Sequence, residues 1–353
     1  MTVNAMLTRL ARGVTGVLKA GVGFGLGIAA GAVLEARVGM RLRRASIAVL
    51  PPGAESIRVL HLSDFHMMPS MRLKTRWIRS LADLRPDLIV NTGDNLSSPE
   101  AFEFVMQALA PHLGRPGAFV FGSNDYHSPQ WRNPLRYLTA SRSEKHEDER
   151  AVDLPAETLA ACLTSAGWLD ARNTSGVLTV RGTPLIFLGV DDPHIDRDRM
   201  PEPATLSTTS AHGTEGDHPG SSQQPVTPVR IGLTHAPYSR VLQAFDRADV
   251  DVVFAGHTHG GQVCVPGYGA LVTNCDLPTW RASGLMGWPG AQPSGSVRTP
   301  WPPLRRKPKN LESSRMWVHI SAGLGTSPFA PIRLFCRPEA TLITLTARDV
   351  DHA

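Results

Sequence analysis

Seven side chains able to bind hard or borderline cations recur along the chain in short clusters: Asp64 with His66, Asp94, Asn124, His235, and His257 with His259. Asp, Asn and His suit Mn, Fe, Zn or Mg, whereas cysteine-rich sets suit softer choices. Two divalent cations need many such ligands, with one carboxylate shared between them. Gly93 precedes Asp94 and Gly256 precedes His257, so the backbone can turn sharply there and bring ligands close. His257 and His259, two apart on a loop, can reach two different cations. Gly260 and Gly261 leave room above them for a substrate. A lone Asp-x-His arises by chance, and a lone His is more often core or surface than ligand. The joint order of the set carries the information.

Each cluster directly follows a short apolar run. Ile57–Leu62 reads as a strand ending at Asp64 and His66, Leu88–Val90 as one ending at Asp94, and Ala118–Phe121 as one ending at Asn124. Leu185–Val190 leads to Asp191, Asp192 and His194, Ile231–Leu233 to His235, and Val252–Ala255 to His257. Trp317–Ile320 and Thr341–Leu345 are the last strands. Helical spacing over Met71–Leu84 and Ala101–Leu113 separates the first three strands, which argues for βαβ units and a largely parallel sheet. Open α/β sheets bind ligands outside the carboxyl ends of their strands, so the seven side chains can meet in one crevice.

The chain has 353 residues, 42% hydrophobic and 19% charged, enough for a sizeable core and unlike a disordered or fibrous protein. Its net charge of +5 is uneven: residues 1–50 hold seven basic groups and one acid, while the rest is nearly neutral. A nucleic-acid binder spreads basic groups over a folded face, so no nucleic acid is expected. Here the charges flank Gly13–Leu34, 22 residues whose one charge is Lys19 and seven of which are glycine. That segment is long enough to span a bilayer, with a cleaved signal peptide or a soluble helix as the bland alternatives. We expect an N-terminal membrane anchor over 1–44, a catalytic domain over 45–348 and a tail over 349–353. Basic residues lie on both sides of the segment, slightly more after it. They lean toward a cytoplasmic catalytic domain without deciding the side. Insertions are expected at 141–150, 196–229 and 288–314, unstructured by composition. Four scattered cysteines exclude a disulfide scaffold and a Cys-based zinc site. Cys264 and Cys275 read as small packing residues, His61 and His319 as core. His146, His212, His218 and His352 read as solvated and Arg305–Lys309 as a solvated basic loop; Asp191, Asp192 and His194 follow a strand and could support the site from behind the ligands, but read first as a structural loop.

The series Asp64-x-His66, Gly93-Asp94, Gly122-x-Asn124-Asp125, His235, Gly256-His257-x-His259 resembles the calcineurin-like metallophosphoesterase superfamily. The string from Gly256 to Gln262, with Gly323–Ser327 and Arg337-Pro338-Glu339, is similar to its branch of membrane-associated phosphohydrolases. The resemblance covers residues 56 to 347 apart from the insertions. It implies two packed mixed β-sheets with helices on their outer faces, and hydrolysis of phosphoesters by a hydroxide bridging two divalent metal ions. It implies one metal on Asp64, His66 and His259, a second on Asn124, His235 and His257, and Asp94 bridging them. The substrate would be a phosphorylated small molecule or lipid. The rival readings are a soluble nucleotide phosphodiesterase and a metal-binding protein that has lost turnover.

One departure bears on the chemistry. The superfamily's third motif is Gly-Asn-His-Asp or Gly-Asn-His-Glu, and its His assists the leaving group. Here the string is Gly122-Ser123-Asn124-Asp125. A one-residue slip keeps Asn124 as ligand and puts Asp125 where the His belongs. His127 nearby, Asp125 with a raised pKa, or a leaving group that needs no acid would each answer the loss.

Overall fold

The computed structural model describes residues 23–131, 151–205, 228–290 and 314–349. The apolar leader enters as a helix, α1, over 23–38. There follow β1 (Arg41–Leu50), β2 (Ile57–Leu62), α2 (Arg72–Ser80), β3 (Leu88–Asn91), α3 (Phe102–Leu109), β4 (Gly117–Phe119) and the single turn α4 (Ser123–Tyr126). Beyond them lie α5 (Ala156–Ser165), β5 (Leu169–Asp170), β6 (Ser175–Val180), β7 (Thr183–Gly189), β8 (Val229–Leu233), α6 (Ser239–Arg247) and β9 (Val252–Ala255). A small hairpin, β10 (Cys264–Val265) with β11 (Gly269–Ala270), precedes β12 (Gly284–Trp288), β13 (Met316–Ile320) and β14 (Glu339–Ala347).

Two six-stranded sheets result, ordered β1-β14-β2-β3-β4-β5 and β12-β13-β9-β8-β7-β6. In the first, β2 to β5 run parallel and β14 is antiparallel to β2. In the second, β13, β9, β8 and β7 run parallel between the antiparallel edges β12 and β6. The sheets pack face to face. Ile47, Val59, Val90 and Ile343 from one meet Phe187, Ile231, Val252 and Phe254 from the other. Strand side chains alternate between faces, so Leu60, beside Val59, points the other way, into a layer with Ile78, Val105, Leu109 and Leu163 of the helices. On the far side Val241, Leu242 and Phe245 of α6 cover Ile186, Leu188 and Val253. The architecture is helix, sheet, sheet, helix. Strands buried on both faces explain the near-continuous apolar runs of the sequence.

Several local expectations change. β1 starts at Arg41, inside the stretch assigned to the anchor. Two of the basic residues read as facing a membrane are turned inward, Arg41 and Arg43 reaching the buried Glu339 of β14 at 2.9 and 2.5 Å. The segment 196–229 is not wholly without structure. Arg197 pairs with Asp191 at 2.9 Å, Ser175 Oγ donates to the Glu202 carbonyl at 2.6 Å, and Val229 opens β8. Likewise Trp288 closes β12. Residues 141–150, 206–227, 291–313 and 350–353 lie outside the described residues, and with them His146, His212, His218, His352 and Arg305–Lys309. Residues 13–22 of the apolar segment lie outside them too, and no helix among the described residues is long and apolar enough to cross a membrane. His61 and His319 are both fully buried, their Nδ1 atoms 2.8 Å apart.

Candidate metal centre

Parallel strands put their carboxyl ends at one edge, and the loops that carry the candidate ligands leave from those ends. Asp64 and His66 follow β2, Asp94 follows β3 and Asn124 follows β4; His235 follows β8, and His257 and His259 follow β9. The backbone bends hard there. Asp64, His66, Asp94, His257 and His259 all have positive φ, between 41° and 68°. Each such residue costs roughly 1–2 kcal/mol relative to ordinary geometry, and the surrounding structure must overcome it. Part of that structure is a backbone lattice: Asp64 N–H donates to the Gly93 carbonyl at 2.8 Å and His66 N–H to that of Asp94 at 2.9 Å. Gly93 has φ +87°, and a Cβ on it would lie 2.4 Å from Gly122 N. A Cβ on Gly256 would meet Ser63 Oγ at 2.1 Å and Asp64 Oδ2 at 2.5 Å, so only glycine lets the β2 and β9 loops touch.

One ligand atom each from Asp64, His66, Asp94 and His259 lie within 4.8 Å of one another. His66 Nε2 is 3.2 Å from His259 Nε2 and 3.3 Å from Asp94 Oδ2. His235 Nε2 approaches the same Asp94 oxygen at 3.4 Å, and Asn124 faces Asp94 with its backbone N–H at 2.8 Å and its side-chain amide at 2.9 Å. Asp94 therefore sits between the two groups. His257 joins them through its backbone, whose N–H donates to Asp64 Oδ1 at 3.0 Å, and through its ring, edge-on to His235 with centroids 5.2 Å apart.

A cation fits this set on three grounds. The donors are carboxylate oxygens and imidazole nitrogens, the chemistry that divalent Mn, Fe, Zn or Mg takes. The tautomers are fixed by second partners, because a carbonyl can only accept. His235 Nδ1–H donates to the Thr92 carbonyl at 2.7 Å and His257 Nε2–H to that of Asn274 at 2.9 Å, which directs the other nitrogen of each ring to its lone pair. Finally, His235 Nε2 is buried with no hydrogen bond of good geometry, its approach to Asp94 Oδ2 being an ion-pair distance of 3.4 Å. A buried orphan nitrogen is costly unless something binds it.

The protonation states agree. Burial disfavours charge on His235, but Asp94 first, then Asp192 and Asp64, hold its pKa well above the ordinary range. Burial likewise opposes the charge of Asp94, yet His235 and His66 hold that carboxyl well below its usual value. Burial raises Asp64 and lowers His257 and His259, leaving those two imidazoles neutral. A cation would replace the proton that His235 carries, so its binding releases protons.

Asp125 is fully buried, and its carboxylate accepts the backbone N–H of Asp94 at 2.7 Å, Asn95 at 2.9 Å and Gly122 at 3.0 Å, and the Asn95 side chain at 3.1 Å. Burial and the Asp94 charge still raise its pKa to about 6. His127 is buried beside the Tyr126 ring, and among the described residues it shares no hydrogen bond or ion pair with the seven ligand candidates.

Two residues near the centre escape the sequence reading, and two more are read there first as a structural loop. Arg333 is wholly buried, and its guanidinium bonds the carbonyls of Ala322 at 2.6 Å and Gly325 at 2.7 Å and lies 3.4 Å from His259 Nδ1. Asn274 supplies the His257 carbonyl partner. The other two belong to the loop after β7, which the sequence presents as structural. The His194 ring is 4.5 Å from that of His257, and Asp192, fully buried with Oδ2 unpartnered, is raised by burial to about 7. The signal available for these two is their place after β7, the same strand-end rule that finds the ligands.

Comparison with known proteins gives a match between residues 57–261 and the model of the calcineurin-like phosphoesterase family. The chain is 24% identical over 306 residues to the uncharacterized metallophosphoesterase YkuE of Bacillus subtilis, covering 84% of this chain and 82% of that one. It is 28% identical over 223 residues to a bovine transmembrane protein with metallophosphoesterase domain, covering 61% of this chain and 43% of the relative. Among solved structures, TT1561 of Thermus thermophilus aligns with 57% of this chain and 82% of its own, at 13% identity and a TM-score of 0.31.

Proposed function

The chain belongs to the calcineurin-like phosphoesterase family and is a metal-dependent phosphoester hydrolase, and from that premise we propose that it works with two divalent cations arranged about Asp94. Asp64, His66 and His259 would hold one and Asn124, His235 and His257 the other. Bound there, such a pair supplies Lewis acidity toward phosphoryl oxygens and a water that ionises near neutral pH. The observation that supports the reading is the convergence of four ligand atoms within 4.8 Å at the strand ends, with His235 Nε2 facing the same Asp94 at 3.4 Å.

The protein's own groups do the rest. Thr92 and Asn274 hold the two imidazole tautomers through their carbonyls. With four N–H donors aimed at its carboxylate, Asp125 fixes the Asp94 loop instead of delivering a proton. A proton on either oxygen would displace a donor. We therefore read the substrate as one whose departing oxygen leaves without an acid from Asp125, a phosphodiester or phosphoanhydride of low leaving-group basicity, in place of an alkyl phosphomonoester.

The leader supports a membrane-linked role. In α1, Phe24, Leu26 and Ile28 are exposed by 73, 67 and 41%, an apolar surface that the folded domain does not cover. We read it as continuing an anchor that begins in residues 1–22, with a lipid or lipid-linked phosphate as the substrate class. Elemental analysis with assays on bis(p-nitrophenyl) phosphate and p-nitrophenyl phosphate tests the chemistry. We expect two cations per chain and faster diester cleavage. Two cations with neither ester hydrolysed would favour a binding protein without turnover. Membrane fractionation with and without residues 1–40 tests the anchor, which unchanged partitioning would remove.

A further inference from the structure

Two cysteines set 72 positions apart in sequence meet directly behind the metal-ligand loop. Cys264 Sγ and Cys336 Sγ each hydrogen-bond the same carbonyl oxygen, that of Gly260, at 3.4 Å, and Cys336 Sγ also reaches the His259 carbonyl at 3.3 Å. The segments that carry them are already laced together. Cys264 N–H donates to the Leu334 carbonyl at 2.9 Å, Leu334 N–H to that of Gln262 at 3.1 Å, and the Gln262 side chain to that of Ala330 at 2.7 Å. The two thiols lie close enough to interact with each other. Cys336 is buried, whereas Cys264 is partly open to solvent.

We propose that Cys264 and Cys336 form a disulfide that covalently ties the loop bearing His259 to the segment holding Arg333. A disulfide needs side chains that face one another with Cβ atoms about 3.8 Å apart, and two thiols meeting on one oxygen from laced backbones require little movement to reach it. The oxidant is a small-molecule disulfide. The Cys264 sulfur takes one of its halves, releasing the other as a thiol. The Cys336 sulfur then attacks the Cys264 sulfur, forming the protein S–S bond and expelling the second half as a thiol. Two thiol hydrogens and two electrons pass from the protein to the small disulfide, which is reduced. Both S–H donors leave the Gly260 carbonyl, a small loss because sulfur is a weak donor. Cys336 N–H also bonds Glu35 of α1 at 2.8 Å, so the linked segment would run from the leader helix to a metal ligand. Such a bond persists on the oxidising side of a membrane and is kept open in a reducing cytosol.

The test is a thiol map of the full-length protein. The protein is incubated with glutathione disulfide or with a reductant, trapped with N-ethylmaleimide and digested. The expected result after oxidation is a linked peptide joining Cys264 to Cys336, lighter by two hydrogens than the separate peptides, with Cys162 and Cys275 carrying label. After reduction all four carry label. Cys264→Ser should abolish the linked peptide, and because Cys264 is partly exposed this variant keeps the test usable if Cys336→Ser does not fold. Label on all four cysteines after oxidation, a stable glutathione adduct on Cys264 that never resolves, or a link to Cys162 or Cys275 instead would each overturn the proposal.

Discussion

In the proposed two-cation centre, the two halves are held by different means. The half made by Asp64, His66 and His259 rests mainly on backbone: all three have positive φ and their ligand atoms already converge, with the Arg333 guanidinium 3.4 Å from His259 Nδ1. The half made by Asn124, His235 and His257 rests on side-chain hydrogen bonds, the carbonyls of Thr92 and Asn274 setting the two rings. Conformational strain at all three ligands marks the first half; in the second, where His257 alone shares that strain, partners fix ring orientation and basicity. The contrast implies that the first half tolerates loss of a distant contact less visibly than loss of its fold, while the second is sensitive to the tautomer-setting groups. Asp94, shared by both, is where the distinction should vanish.

The largest effect is therefore expected at Asp94. Asp94→Asn should lower turnover by roughly 10³-fold or more, the scale for loss of a group acting directly on transition-state charge, and should reduce bound metal in both halves. Steady-state assay and elemental analysis of the same preparation check it. Wild-type turnover with two cations bound would sink the shared role. Next come His259→Ala and His235→Ala. Each should lower activity by about 10²-fold and leave about one cation per chain, and the two should differ in which added metal restores the second. Equal loss of both cations from either variant would mean that the halves are not separable.

What the sequence disclosed follows this division. The candidate ligands stand out because a strand end, a short loop and a metal-binding side chain are neighbours in the chain, as with Leu62 and Asp64 or Ala255 and His257. The helix–sheet–sheet–helix layering followed from the family resemblance, while the apolar runs alone gave only parallel strands. The partners that hold the ligands were not legible. Thr92 acts through its carbonyl, which every residue has. Arg333 lies in a basic, apolar-flanked stretch that looks like surface until the chain folds it against His259. Arg41 and Arg43 misled for the matching reason: their partner Glu339 is some 300 residues away, and nothing local distinguishes a buried ion pair from a membrane-facing flank. The short strands β6 and β12 carry too few apolar residues in a row to announce themselves.

Asp125 separates positioning from proton delivery. Asp125→Asn puts an N–H₂ where one of the carboxylate oxygens accepts backbone N–H groups, so donors face donors. We expect a loss of stability of about 1–3 kcal/mol and metal binding weaker by roughly 10–100-fold. If Asp125 only positions, raising the metal concentration should restore most of kcat, and the pH profile should keep its shape. Loss of the alkaline limb from the profile at saturating metal would return Asp125 to the role of acid.

The smallest effect concerns what steadies the first half. Lys74 lies beneath it, its Nζ donating at 2.7 Å to the carbonyl of Phe65, the residue between Asp64 and His66. Burial, with the Arg333 charge behind it, lowers the Lys74 pKa to about 7. An unfolded lysine titrates near 10.4, so between about pH 7 and 10 the unfolded chain binds the extra proton and stability should rise with pH. Below about pH 7 both states are charged and the cost of the buried ammonium is felt in full. Lys74→Met removes the titration, so the stability of the wild type, read from urea unfolding, should gain on that of the variant as pH climbs from about 7 to 9, by at most ~1.4 kcal/mol per pH unit. Thiols and tyrosines titrating in the same range are common to both proteins and drop out of the difference. Parallel midpoints would show that the ammonium is solvated in the native state, and the first half would then owe its geometry to the left-handed backbone of Asp64, His66 and His259 without help from below.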